Sequence, residues 1–382
     1  MQAILAVTVP FFALVLLGWL AARAGPLPEN AIPGLNAYVL FFALPCMLFR
    51  FGASLPLARL ADPALLGIYL LCAVLMIAFT VAVTVRTARR PGGVELRDAA
   101  FGALVAAFPN AGFMGVPLLV ALFGDAAAGP VIGAIVIDLV VTSTLCLALA
   151  QAEAARSAGD AERRAAHAAL IALRGALTNP LPWAIVLGAG SAALGLEPLA
   201  PIGQIVRMLG DSATPVALFT IGAVLFRAGN HVQSRTPVGH FLPVALIKLF
   251  VHPALIFAIG LLARALGAPV PTFGLTILTL TAALPSASNV SLLAERYGAD
   301  NGRVTRIIMA STMLAFISFS VIAWAFEKGK PGEAISVSLG TLYTESKTST
   351  PPRSPRSTKC AAPSTRSPRG LPPGAAPCST RS

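Results

Sequence analysis

The sequence predicts an all-α polytopic membrane protein of ten transmembrane helices, built as a 5+5 inverted repeat, and three observations predict it. The chain of 382 residues is 56% hydrophobic and only 12% charged, about half the roughly 25% charge usual in soluble domains, with a mean hydropathy of +0.78. Long uncharged runs recur along it, whereas an outer-membrane barrel would alternate apolar and polar residues at moderate hydropathy. Prolines interrupt corresponding runs on either side of a central arginine-rich stretch.

Counted from charge to charge, the first run extends from Met1 to Ala22 before Arg23, and the second from Asn30 to Phe49 between Glu29 and Arg50. Each suffices to cross about 30 Å of hydrocarbon at about 1.5 Å per residue. Runs from Pro63 to Val85, Ala99 to Gly124 and Gly129 to Gln151, the last interrupted only by Asp138, complete five spans. The pattern resumes with Gly175 to Leu196, Gln204 to Phe226, Phe241 to Gly267, Thr272 to Ala294 and Ile307 to Phe326. The first run is read as a span and not as a signal peptide, because no basic region precedes it and it exceeds the roughly 7–15 apolar residues of such signals.

Orientation follows from arginine placement. The odd-numbered connections carry fourteen arginines, including Arg86, Arg89, Arg90 and Arg97 and the four of the central loop. The even-numbered ones carry four: Arg50, Arg59, Arg207 and Arg264. Positive charge stays on the cytoplasmic side, so the expectation is a multi-pass protein of the cell (inner or plasma) membrane with both ends of the ten-span core outside. Residues 1–151 then form the first five-helix repeat, 152–174 a cytoplasmic linker, 175–327 the second repeat and 328–382 a disordered, basic, Pro/Ser/Thr-rich tail. That tail holds nine Lys/Arg against Glu333 and Glu345, so it supplies seven of the twelve net positive charges. The remaining balance is ordinary for a membrane protein and argues against nucleic acid as a partner.

Five spans on each side of a central loop turn the second unit upside down, because an odd number of crossings reverses direction. The prolines agree: Pro45 and Pro109 lie 64 residues apart in the second and fourth spans, and Pro215 and Pro285 lie 70 apart in the seventh and ninth. The fourth span reads Phe108-Pro109-Asn110-Ala111-Gly112 and the ninth Leu284-Pro285-Ser286-Ala287-Ser288-Asn289. Proline costs about 3 kcal/mol inside a helix, and nearby glycine or serine eases unwinding, so both helices are expected to break near the bilayer midplane. Freed backbone groups cannot face lipid, so they must line a cavity or meet polar side chains, for which Asn110, Ser286, Ser288 and Asn289 are available. Crossing of the two broken helices would direct helix N-termini at a common spot suited to an anion. Matched interruptions of this kind point to a transporter's binding site.

Few ionisable groups lie deep, and each costs at least about 2.5–3.5 kcal/mol on insertion scales. Lys248, flanked by apolar residues in the eighth span, is read either as a fixed charge near an anion or as a structural partner of Asp138 or Asp211. Asp138, beside Thr142 and Ser143, either carries a coupling proton or pairs with Lys248. His252 reads as a hydrogen-bonded helix histidine, Asp211 as the partner of Arg207 one turn earlier, and Glu295 as interfacial. Cys46, Cys72 and Cys146 sit in apolar runs with no metal-ligand spacing. No His/Asp/Ser or HExxH arrangement is present, so no enzyme activity, metal or cofactor is expected.

With these residues in view, the chain resembles the auxin efflux carrier family over about residues 1–326. The resemblance rests on Leu35-Asn36-Ala37-Tyr38-Val39-Leu40-Phe41-Phe42-Ala43-Leu44-Pro45, the Pro109-Asn110 break, Pro215-Val216-Ala217-Leu218-Phe219 with Gly222, Lys248 with His252-Pro253, and the Pro285 break. It implies broken, crossed helices 4 and 9, a scaffold of spans 1, 2, 6 and 7, and a moving domain of spans 3 to 5 and 8 to 10. It also implies a small carboxylate such as malonate or malate as substrate. The ninth span departs with Pro285-Ser286 where the fourth has Pro109-Asn110, and the short central loop lacks the regulatory insertion of the plant hormone carriers.

The expected function is therefore secondary transport of a small organic anion by alternating access. Pro109, Asn110, Gly112, Lys248, Pro285, Ser286, Ser288 and Asn289 are the candidate substrate-binding residues, and Asp138 and His252 the candidates for coupling or ion pairing. Proton coupling, sodium coupling and a homodimer all remain open. A sodium-coupled organic-anion symporter similar to the bile acid symporter family is the alternative; it would need a cluster of acidic and amide ligands beside the crossover.

Overall fold

The computed structural model describes residues 2–54, 62–88, 94–156, 170, 180–196, 198–230 and 236–328. The tail and most of the 152–174 linker lie outside the described residues. The helices, in chain order, are α1 (Gln2–Ala24), α2 (Glu29–Ser54), α3 (Pro63–Ala88), α4 (Leu96–Ala107), α5 (Ala111–Phe123) and α6 (Asp125–Gln151). They continue with α7 (Pro180–Ala193), α8 (Ala200–Asn230), α9 (Val238–Ala265), α10 (Thr272–Ala282), α11 (Val290–Arg296) and α12 (Asn301–Lys328). Among the described residues there is no strand, only an isolated bridge between Pro109 and Ser286.

Among the described residues seven helices, α1, α2, α3, α6, α8, α9 and α12, are long and apolar enough to cross a membrane, while α5, α7 and α10 are shorter apolar helices. Burial sets α4 and α10 apart. Every residue from Ala99 to Ala107 in α4 and from Gly274 to Ala282 in α10 is buried. By contrast, the long helices expose large apolar residues such as Leu16, Leu17, Phe41, Phe42, Leu70 and Leu71. A helix apolar on all sides and covered on all sides belongs to a protein interior, and its small residues let neighbours approach.

Proline chemistry divides the chain at two points. The residue before a proline is pushed out of the helical region, and Phe108 accordingly takes φ −102°, ψ 95°, which ends α4 before Pro109. At the second point α10 stops at Ala282, ahead of Leu284-Pro285, and α11 restarts at Val290. Pro215, in contrast, sits inside an unbroken α8. Among the described residues four five-residue π turns interrupt regular α geometry: Val39–Ala43 in α2, Ala111–Gly115 opening α5, Asp138–Thr142 in α6 and Ile247–Val251 in α9.

Two helix pairs pack backbone to backbone, α1 on α8 and α2 on α7. A Cβ added at Gly18 would lie 1.9 Å from the Phe219 carbonyl oxygen, and one at Gly222 1.8 Å from that of Val15. Likewise, a Cβ at Gly188 would lie 2.1 Å from the Phe49 oxygen and one at Gly52 2.5 Å from that of Ile185. In all four cases the carbonyl lies three residues before the facing glycine, so the two pairs obey one rule. Between α2 and α8, Arg50 binds Asp211, which replaces the expected Asp211–Arg207 pair. Both partners are largely exposed, at 43% and 63%, so this contact contributes at most about 1 kcal/mol.

Elsewhere the start of α12 anchors two other helix ends. Arg303, 3% exposed, donates from Nε to the His240 carbonyl and from a terminal nitrogen to the Asp98 carbonyl, both at 2.8 Å. The Asp98 carboxylate accepts the Asp300 amide at 2.8 Å, and Gly102 leaves the room that the guanidinium occupies.

Candidate functional site

The two proline interruptions meet. The Asn110 amide donates to the Pro285 carbonyl at 2.8 Å and the Ala287 amide to the Phe108 carbonyl at 3.1 Å, an antiparallel bridge pairing Pro109 with Ser286. The Ser286 amide donates to Ser311 Oγ at 3.2 Å, and Ser311 donates on to the Ile308 carbonyl. Much of the backbone freed by the prolines is thus satisfied by backbone, where sequence reasoning looked to side chains or a cavity.

That economy leaves side chains unspent. Asn110 occupies the N-cap position of α5, yet its side chain makes no capping bond; its carbonyl instead accepts the amides of Met114 and Gly115. The residue is 4% exposed and lines a cavity of about 40 Å³ together with Pro109, Gly112, Asp138 and Asn289, under Leu40 of α2 and Leu181 of α7. Ser286 Oγ and Asn289 Oδ1 are buried without a hydrogen-bond partner. An uncompensated buried polar group costs about 1–3 kcal/mol, so two such groups at one break are expensive for a purely structural kink. A ligand offering acceptors and a donor would meet that demand, and the start of α5 adds amide N–H groups that helix geometry leaves without an intrahelical partner.

Asp138 is fully buried in a π turn of α6 and is held by hydroxyls. Tyr69 donates to Oδ2 at 2.8 Å, Thr142 to Oδ1 at 3.0 Å, and Ser143 to the Asp138 carbonyl at 2.9 Å. Lys248, also fully buried in a π turn, takes other partners. Its Nζ donates to the Ala282 carbonyl at 2.8 Å and lies 3.1 Å from His252 Nδ1. Lys248 therefore covers the C-terminal carbonyl end of α10, where a cation is favoured, instead of forming a direct ion pair with Asp138 or Asp211. The Tyr69 and His252 rings lie 6.2 Å apart, so the two polar centres adjoin. His252 Nε2 is buried without a partner.

The structure thus gathers Pro109, Asn110, Gly112, Asn289 and Asp138 around one cavity and puts Pro285 and Ser286 in the bridge beneath it. Ser288 faces a second, larger cavity, and Lys248 and His252 line neither. Glu295 is exposed at the end of α11. Sequence reasoning passed over Tyr69, whose phenol in an otherwise apolar run was the available signal, and Ser311, which carried none.

An all-helical chain with seven described helices long and apolar enough to cross a membrane, and a polar cavity at a break between buried helices, has the features of a transport protein. Comparison with known proteins agrees: a family model described as "Membrane transport protein" matches residues 3–323, and the chain belongs to that family, the auxin efflux carriers its motifs resemble. The chain is 27% identical over 332 residues to a Rhizobium meliloti protein named "Putative malonate transporter", covering 86% of this chain and 98% of that one. It is 28% identical over 311 residues, 80% of this chain and 92% of the relative, to an uncharacterized transporter of Methanothermobacter thermautotrophicus. It is also 25% identical over 318 residues, 82% and 93%, to the uncharacterized transporter YfdV of Escherichia coli.

Proposed function

We propose that this protein is a secondary transporter that moves a small carboxylate across the cell membrane by alternating access, binding it where the two prolines interrupt their helices. The observation that carries the reading is the side-chain amide of Asn110: buried, free of capping duty, and set in the cavity beside Asn289 and the start of α5. The proposed architecture has ten spans. In it α4 with α5 and α10 with α11 are the broken, crossed fourth and ninth spans, residues 1–151 and 175–327 are inverted repeats, and both ends of the core lie outside. The glycine pairs support the repeat. Spans 1 and 6 correspond, as do 2 and 7, so a two-fold relation would turn the Gly18–Gly222 contact into the Gly188–Gly52 contact, and the same three-residue offset governs both. On this reading α1, α2, α7 and α8 form the scaffold, and the remaining helices carry the substrate.

Malonate is the first substrate to test because of the relative's name, and malate the second. Asp138 is the carboxylate that shares the cavity with Asn110, and it is fully buried with no ion-pair partner among the described residues; that placement supports a proton as the coupling ion. Purified protein in liposomes should take up radiolabelled malonate or malate when a proton gradient is imposed. Uptake driven by sodium alone would transfer the protein to the sodium-symporter reading. Failure to exchange any carboxylate from a broad panel, in correctly folded and inserted protein, would end the proposal.

A further inference from the structure

We infer that the cavity of about 840 Å³ between α2, α8, α11 and α12 is a cytoplasm-facing vestibule for the substrate, with Arg227 as its anion-binding residue. The inference rests on the transport reading above and adds the side of access and the residue that selects for charge there.

Position gives the side. The cavity walls come from one set of helix ends: Ile32, Pro33 and Asn36 at the start of α2, Arg227 in the last turn of α8, Glu295 in the last turn of α11, and Asn301 and Thr305 at the start of α12. Those ends adjoin the first, seventh and ninth connections, all of the arginine-rich class that stays cytoplasmic. At its inner end the cavity reaches Leu40, Ser288 and Asn289, and Leu40 and Asn289 also form part of the wall around Asn110. A solute entering from this face therefore arrives at the proline break.

Charge gives the selectivity. Arg227 is half-buried in this wall and makes no hydrogen bond or ion pair with any described residue. A guanidinium presents a planar fork matched to a carboxylate, and low-dielectric walls focus its field on the cavity. Glu295 lies in the same wall near the mouth and is exposed to solvent, where its charge is better screened than that of Arg227. The polar groups deeper in, from Ser288, Asn289 and Ser291, carry no charge and suit a carboxylate in transit to the break.

The test measures malonate transport from each face separately, using right-side-out and inside-out vesicles that contain the full chain. Arg227→Gln should raise the KM at the cytoplasmic face by about tenfold, leave the KM at the outer face unchanged, and remove the salt dependence that wild type shows at the cytoplasmic face. Arg227→Lys keeps the charge without the fork and should fall between. In parallel, Asn301→Cys should react with a membrane-impermeant thiol reagent only from the cytoplasmic side, and malonate should slow the reaction. Equal KM values for Arg227→Gln and wild type at the cytoplasmic face, or equal shifts at both faces, would overturn the inference. Asn110→Ala in the same vesicles separates the two proposals: if it impairs transport from both faces while Arg227→Gln does nothing, the vestibule assignment fails and the binding site stands. If Asn110→Ala is also silent, the site itself is wrong.

Discussion

Asn110 and Pro285, 175 positions apart in sequence, are joined by a single backbone bond of 2.8 Å from the Asn110 amide to the Pro285 carbonyl. Each proline frees backbone groups at its own break, and the two breaks spend those groups on each other. Their side chains are left for other work.

The first consequence concerns Asn110→Ala. The amide caps nothing, so its loss should leave folding close to wild type while removing a donor to a charged ligand, worth roughly 1.5–3 kcal/mol or about a ten- to hundred-fold loss of affinity. Substrate binding in detergent at matched folded fraction checks this, with the partly buried Val120→Ala of the same helix as control. Unchanged affinity in Asn110→Ala would make the break purely structural.

A second expectation separates coupling from binding. Asp138→Asn keeps the shape of the side chain but cannot carry a proton between states, so uphill uptake driven by a proton gradient should vanish while malonate exchange down its own gradient persists. Tyr69→Phe, which removes the 2.8 Å bond to the same carboxylate, should weaken gradient-driven uptake without abolishing it. Full gradient-driven uptake by Asp138→Asn would move the coupling site elsewhere.

Lys248 is expected to act on stability. Lys248→Met preserves bulk but orphans the Ala282 carbonyl and His252 Nδ1, costing roughly 1–3 kcal/mol and lowering the thermal midpoint in detergent. Malonate affinity should not change. A large rise in KM with an unaltered midpoint would instead place the ammonium on the substrate.

The packing of α1 on α8 supplies the fourth test. Gly222→Ala would drive a Cβ to 1.8 Å from a backbone oxygen that has no side-chain freedom with which to yield, so the variant should fail to accumulate as folded protein. Gly67→Ala, where nothing lies within 4 Å, should behave as wild type or slightly better, because alanine favours helix over glycine by about 1 kcal/mol. Size-exclusion profiles of the two variants decide it.

The sequence by itself determined the solvent and the class of fold. Apolar runs as long as a bilayer is thick leave the backbone no partner but itself, so helices follow from composition alone. It also marked where helices could stop, because Pro109 and Pro285 lack the N–H that a helix needs, and it marked Asn110 and Asp138 as polar groups too costly to bury idly. Tertiary structure decided what those residues do. Helical periodicity describes one segment at a time, whereas the Asn110–Pro285 bond, the Tyr69–Asp138 bond and the seating of Lys248 on Ala282 each join residues from distant segments. The pairing of Asp211 shows why local spacing misleads: Arg207 was one turn away, but Arg50 on a facing helix reached the carboxylate. Pro215 teaches the same lesson in reverse, since a proline alone did not break α8. Packing against neighbouring helices, which no single segment encodes, chose which proline opened a site and which was absorbed.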